Sequence, residues 1–372
     1  GADVVKIEPP DGDIMRHSGP APEPGMSPIF QHMNRGKRSL ALDLKQLAGR
    51  DVLLRLVRDA DVFLYNMRPQ AMVRLGLAYE LLRADNPGLV YCGIVGFGQG
   101  GPYAARPAYD DLIQGISGIP DLVARANGTE PRYVPFALCD RIAGLYAVNA
   151  LLAALVARGR SGTGAAIEVP MFEASVHFLL VEHLFGASFV PEVGTGAFNT
   201  RMLEPNRKPY RTRDGYVCVL PYTTRHWVDV FALMGRPELA SDPRFADFAA
   251  RRQHIDVLYD LLATLLATRT TQAWLTEFEQ RDIPAVRANS VPDLLVDPHL
   301  AATGFFQPHD EPTGRFVHMQ PPVRWASQQG CEARPAPVLG QHSEDVLHEA
   351  GYDDAAIAAL AQANVIASPR SS

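Results

Sequence analysis

Asp140 has the most suggestive chemical setting in the chain. It lies in Pro135-Phe136-Ala137-Leu138-Cys139-Asp140-Arg141-Ile142-Ala143-Gly144, an apolar run leading into a long helical pattern. An aspartate there has two uses that do not exclude each other. Its carboxylate accepts orphan backbone N–H groups at a helix start. The positive end of the helix also favours the ionised form and lowers the pKa, which makes a partly buried aspartate a candidate nucleophile. Upstream, Ala108-Tyr109-Asp110-Asp111-Leu112-Ile113-Gln114-Gly115 carries paired acids. They are either solvated in a loop, or Asp111 caps a following helix. Arg38 and Arg74 are candidate phosphate contacts, because a guanidinium fork matches phosphate oxygens. Simple solvation is the alternative for each.

Several other chemistries lack their residues. Gly96-Phe97-Gly98-Gln99-Gly100-Gly101 fits GxGxxG after a strand-like run, but Pro102 and Pro107 follow. A dinucleotide fingerprint needs a helix to open at that point. The segment reads instead as a loop able to line a site. There is no HExxH and no GxSxG, and His177 and His183 are spaced for different helix faces. Neither a metal site nor a nucleophile-elbow serine is expected. Cys92, Cys139, Cys218 and Cys331 stand far apart with no CxxC pair. They read as free thiols in a reducing cytoplasm.

The elements that must position these residues alternate in type. Val4–Ile7, Ser39–Leu44, Asp61–Tyr65 and Leu89–Val95 read as strands, and Leu47–Ala60 and Ala71–Leu82 as helices. This alternation points to βαβ units and a parallel sheet. Asp140–Arg158 reads as a helix whose apolar stretch, Ile142–Ala157, is too short for the ~18 residues of a membrane span and so is expected to be a buried core helix. Ala165–Val169 reads as a strand and Met171–Leu184 as a helix. Glu192–Lys208 is polar and aperiodic, as a linker would be. Beyond it come a hairpin at Tyr210–Leu220, Leu- and Ala-rich helices to about His299, a strand-like Phe305–Trp325 and a helical Ser343–Val365.

The 372 residues make about two domains at ~100–200 residues each. With 47% hydrophobic and 20% charged residues, a soluble globular core is readily built. The net charge of −6 gives no basic excess of the kind that marks nucleic-acid binders. No signal peptide or membrane span is expected. The chain opens directly into a strand-like run at Ala2–Glu8, which suggests that something is missing upstream.

Six segments, in order, resemble the class III CoA-transferases, which include formyl-CoA transferase and carnitine CoA-transferase. They are GADVVKIEPPDGD (Gly1–Asp13), NRGKRSLALDLK (Asn34–Lys45), ADVFLYNMRPQAMVRLGL (Ala60–Leu77), RPAYDDLIQGISG (Arg106–Gly118), ALCDRIAGLYAVNALLAAL (Ala137–Leu155) and PVLGQHSEDVLHEAGY (Pro337–Tyr352). The resemblance implies an α/β fold. A large Rossmann-like CoA-binding domain would come from both chain ends (1–205 and 300–372), with a smaller α+β domain (206–299) inserted. Two subunits would interlock as a homodimer. It also implies Asp140 as nucleophile, with Tyr109 and Asp110 lining the site. Contacts to CoA would come from Leu42, Asn66, Met67, Arg74 and Leu75, with Lys45 as a phosphate partner, beside the Arg38 candidate read above from its guanidinium.

The implied reaction needs no metal and no permanently bound cofactor. Acyl-CoA and a small carboxylic acid are the substrates. The aspartate attacks the thioester to give a mixed anhydride and CoA thiolate, and the thiolate returns to leave an aspartyl-CoA thioester. An acceptor carboxylate completes the exchange. Gly194–Lys208 stands where formyl-CoA transferase has a glycine-rich loop, and it departs from that pattern. This segment and the Tyr210–Leu220 hairpin are expected to shape the acyl pocket. Two rivals share the fold. In α-methylacyl-CoA racemases a histidine base stands where this chain has Tyr109, and a tyrosine of ordinary pKa near 10 is a poor base at pH 7. The other rival is a non-catalytic CoA-binding homologue.

Overall fold

The computed structural model describes residues 1–194, 196–311, 314–323, 326 and 334–367. Along the chain run β1 (Val5–Glu8), α1 (Pro28–Asn34), β2 (Arg38–Leu42), α2 (Leu47–Val57), β3 (Val62–Tyr65), α3 (Pro69–Arg74), α4 (Tyr79–Asp85) and β4 (Val90–Val95). There follow α5 (Asp110–Ser117), α6 (Ile119–Asn127), α7 (Leu138–Ser161), β5 (Ala165–Pro170), α8 (Met171–His183), β6 (Tyr210–Arg211) and β7 (Tyr216–Val219). Next are α9 (Thr224–Leu233), α10 (Phe248–Gln253), α11 (Ile255–Leu266), α12 (Thr271–Glu279), β8 (Ala285–Arg287), α13 (Val291–Leu294) and α14 (Pro298–Ala302). The described chain closes with β9 (Phe306–Glu311), β10 (Gly314–Met319), α15 (Ser343–Glu349), α16 (Asp354–Gln362) and β11 (Ile366–Ala367). The fold is mixed α/β, and the chain divides into two compact units.

The first unit comprises Gly1–Ala105, Gly144–Pro170 and Leu295–Ser372. β3, β4 and β5 pair in parallel, with β4 between the other two. A central parallel strand is covered on both faces, which explains the near-continuous apolar run of β4. A Cβ at Gly93 would stand 2.5 Å from the Tyr65 hydroxyl, so a side chain there would displace that ring. β1 pairs in parallel with β2, and β11 returns antiparallel along the other side of β2. One core joins these layers, with Leu40 and Leu42 of β2, Val52 and Leu53 of α2, Tyr91 of β4, Leu347 of α15 and Ile366 of β11 packed together.

A buried ion pair anchors the start of this unit. Arg16 Nε and Nη2 donate to the two oxygens of Glu8 at 2.7 Å each, and both side chains are almost fully buried. Ser39 Oγ donates to the same carboxylate at 2.7 Å. Arg16 Nη1 donates onward to the Pro337 carbonyl at 3.2 Å, and the guanidinium lies 3.9 Å over the Phe30 ring.

The second unit comprises Arg106–Ala143 and Met171–Leu294. β6, β7 and β8 form an antiparallel sheet. Beside it, Trp227, Phe231, Leu258, Leu262, Trp274 and Phe278 form a separate core. Trp274 is fully buried, and its indole N–H is satisfied by the Leu266 carbonyl at 2.9 Å.

Three readings of the sequence need correction. The helical pattern Ala71–Leu82 is two helices, because Gly76 takes φ +73° between α3 and α4. Ser343–Val365 is likewise divided near Gly351, at φ +81°. The third concerns α7, which runs past both ends of its apolar stretch and is not a buried core helix in the single chain. Ile142, Ala143 and Ala147 are buried, but Leu145, Val148, Leu152 and Val156 are 54–67% exposed. Their spacing of three and four residues makes one apolar stripe. At 24 residues, with an 18-residue window of mean hydropathy 1.6, α7 is long and apolar enough to cross a membrane by length and composition alone. A helix that packs against protein on all sides has the same composition.

Candidate active site

Asp140 stands in the first turn of α7, whose start at Leu138 makes Asp140 an internal residue of that turn and not its cap. The capping falls to a different carboxylate. The Asp140 backbone N–H donates to Asp110 Oδ1 at 3.0 Å, across 30 residues of chain. This satisfies one of the donors that a helix start leaves unpaired. Asp110 is the first residue of α5, with Tyr109 in the extended conformation just before it.

Asp110 is itself held from below. Gln114, one turn along α5 and fully buried, donates from Nε2 to Asp110 Oδ2 at 2.6 Å. The same amide donates to the carbonyls of Val134 and Phe136 at 3.3 Å, and its oxygen accepts from the Val134 N–H at 2.9 Å. Gln114 therefore ties α5 to the segment entering α7 and fixes the oxygen that meets Asp140. The sequence reading named no role for it. Its one signal was a polar residue between Ile113 and Ile116 on a short apolar helix.

The electrostatics differ from the expectation of a lowered pKa. Asp140 is open to solvent in the single chain, but the surrounding protein still displaces water from its carboxylate. That desolvation and the negative charge of Asp110 push its pKa above the ordinary value of 3.8, and Arg141 opposes them only in part. The ionised form of Asp140 is therefore lost, as pH falls, at a pH above 3.8. In an Asp110→Asn variant one of the two causes is gone. Any activity that depends on ionised Asp140 is expected to have its acid limb at lower pH in that variant. A pH–rate profile checks this, and an unmoved limb would assign it to another group.

Tyr109 is 73% exposed, and its hydroxyl makes no hydrogen bond among the described residues. Cys139, beside Asp140, is fully buried, and burial raises the pKa of its thiol against a hydrogen bond with Ser175. Burial likewise pushes Cys92 up to about 11. Cys92, Cys139 and Cys218 are free, and Cys331 lies outside the described residues, as does Trp325. Among the described residues no cluster of three His, Cys, Asp or Glu side chains could hold a metal ion. The Gly96–Gly101 loop is followed by no helix until Asp110, so a dinucleotide-binding turn is not formed.

The sequence model of the family described as CoA-transferase family III matches residues 1–343. The chain belongs to this family. Among its relatives is a succinate–glutarate CoA-transferase of Agrobacterium fabrum, 32% identical, with 94% of this chain and 89% of that protein covered. The human succinyl-CoA:glutarate CoA-transferase is 30% identical over 98% of this chain and 84% of its own. A solved CAIB/BAIF family protein from Brucella suis superposes with a TM-score of 0.78 at 32% identity, covering 94% of this chain and 92% of that one.

The residues expected to contact CoA in a family III enzyme lie in the first unit, after the ends of parallel strands. Leu42 ends β2 and Lys45 follows it, and Asn66 and Met67 follow β3. Ligands of open α/β sheets gather at such carboxyl ends. Lys45, Asn66, Met67 and Arg74 are exposed and Leu75 is half-buried. Leu42 is buried in the core, so its side chain is unavailable and only backbone groups remain. Arg38 is already engaged: Nε and Nη2 donate to Asp3 at 3.1 and 2.6 Å, and Nη1 donates to Glu349 at 2.7 Å. Two carboxylates hold the fork that a phosphate would need.

Proposed function

We propose that the chain is an acyl-CoA:carboxylate CoA-transferase in which Asp140 carries the acyl group and then CoA. The observation behind this reading is the exposed Asp140 carboxylate on a helix turn fixed by Asp110 and Gln114. A carboxylate is a weak nucleophile, so its rate depends on being held in attacking geometry and on stabilising the oxyanions that form. Asp140 attacks the thioester carbonyl, the C–S bond breaks, and the products are an aspartyl anhydride and CoA thiolate. The thiolate attacks the aspartyl carbonyl and releases the carboxylate of the former donor. The acceptor carboxylate attacks the aspartyl-CoA thioester to form a second anhydride with release of CoA thiolate. Attack of that thiolate on the acceptor acyl carbon gives the new acyl-CoA and regenerates Asp140. Tyr109 and Asp110 line this site. CoA is substrate here, not a resident cofactor.

The relatives named for succinate and glutarate make succinyl-CoA the first donor to test and glutarate the first acceptor. Intact-protein and peptide mass spectrometry after incubation with an acyl-CoA panel, with hydroxylamine trapping, tests the reading. A modification confined to the peptide holding Asp140 is the expected result. CoA binding with no modification by any donor would overturn it.

Arg74 serves the CoA phosphates in this reading, and Lys45 is a second phosphate partner. Arg74→Ala is expected to raise the Kd for CoA about tenfold, as a charge-assisted phosphate contact of ~1.5 kcal/mol or more is lost, with little change in the chemical step. Equilibrium titration with CoA measures this, and an unchanged Kd removes the contact.

A Rossmann-like large domain over 1–205 and 300–372 and a small domain over 206–299 remain part of the proposal. The separate core between Tyr210 and Ile283 supports the second. The interlocked homodimer is supported by the apolar stripe of α7, which needs cover of the kind a second copy would give. A cytoplasmic setting is supported by the free thiols.

A further inference from the structure

We infer that the cleft beside the β6–β7 hairpin in the second unit binds a small dicarboxylic acid, recognised by Arg201 and Arg252 over an apolar wall. Asp140, Tyr109 and Asp110 are not among its lining residues, so the site is separate from the candidate active site.

Three arginines, Arg201, Arg251 and Arg252, are among the residues that line the cleft, with Trp227, Ile255 and Tyr259 among its apolar walls. No Asp or Glu lines it. Arg251 is only 4% exposed. Its Nη1 donates to the Phe245 carbonyl at 2.8 Å and its Nη2 to Thr224 Oγ1 at 2.9 Å. Both acceptors are neutral. The carboxylate it senses, Asp247, caps α10 by accepting the Ala250 N–H at 2.8 Å and forms no ion pair with it. A buried cation without an anion is costly, and the cost falls when a carboxylate enters. Arg201 and Arg252 carry no ion pair among the described residues. Planar guanidinium forks match carboxylates in two-point contacts.

Size narrows the ligand further. The cleft holds about 150 Å³, a volume that accepts a benzene-sized molecule. That suits a short-chain acid. A wall of Trp227, Ile255 and Tyr259 favours a ligand with methylene groups between its charges over a bare inorganic anion. Asn199 and Arg201, together with Val219 and Leu220 at the end of β7, are also among the lining residues.

The test is isothermal titration of glutarate into the Asp140→Ala protein without CoA, with acetate and inorganic phosphate as comparators. Glutarate is expected to bind at least tenfold more tightly than either. Adding Arg252→Ala or Arg201→Ala, both away from the buried core, is expected to weaken it at least tenfold. Absence of glutarate binding, indifference to both arginines, or phosphate binding as tight as glutarate overturns the site. Labelling of Asp140 by succinyl-CoA is followed in parallel. Labelling with a failed titration rejects this cleft alone, whereas absent labelling rejects the transferase reading itself.

Discussion

Asp140→Ala is expected to lower turnover by at least about 10³-fold, because a reaction that proceeds through a covalent intermediate has no second route once its nucleophile is gone. CoA binding should stay within a few-fold, since Asp140 and the residues proposed for CoA lie on different parts of the chain. The fold should survive as well. Asp140 is exposed, and the hydrogen bond that fixes its turn uses the backbone N–H, which alanine retains. Steady-state turnover and CoA titration on one preparation separate the two effects. Full activity in the variant would remove Asp140 from the mechanism. Asp140→Asn is a poorer choice, because slow deamidation restores the acid.

The largest effect on stability is expected at Glu8. Burial alone disfavours its charged form, but the hydrogen bonds from Arg16 and Ser39 and the charge of Arg16 outweigh this and hold its pKa below 4.5. Glu8→Gln leaves the Arg16 guanidinium buried without its counter-ion, a loss of about 3–5 kcal/mol. Replacing both partners with apolar residues, as in Glu8→Leu with Arg16→Met, is expected to recover much of that loss. Urea unfolding midpoints of the three proteins measure it. Because the folded pKa is the lower one, the stabilisation is complete above about pH 4.5 and is lost as pH falls through the folded value. A Glu8→Gln protein should lack this part of the acid sensitivity.

Periodicity made the alternating strands and helices of the first hundred residues legible, because each buries one apolar stripe or face locally. It misread two helices as longer than they are, where Gly76 and Gly351 adopt left-handed conformations that a hydrophobic pattern does not register. It missed α1, a short helix set by the Ser27 cap and Pro28, and β11, which is only two residues long. Asp140 was legible as a residue of interest, and its role came from family resemblance. The support around it was hidden, because Asp110 and Gln114 act on segments 20 to 30 residues away. The partners of Arg38 were hidden for a similar reason, since they stand at Asp3 and Glu349. The exposure of α7 was also beyond reach, because composition says a helix is apolar but not what covers it.

The contact from Arg16 to the Pro337 carbonyl spans 321 residues, and it has a temporal meaning on the ribosome. At ~5–20 residues per second, Glu8, Arg16 and Ser39 wait roughly a quarter of a minute to a minute before the segment that completes their cluster is synthesised. Throughout that interval β2 has one edge without β11, and Leu40 and Leu42 lack Leu347 and Ile366. An unpaired strand edge with an uncovered apolar face is the kind of surface that captures other chains. The nascent first unit is therefore the stage at which a holding chaperone matters most, and a chain stalled before Pro337 would be its most persistent client.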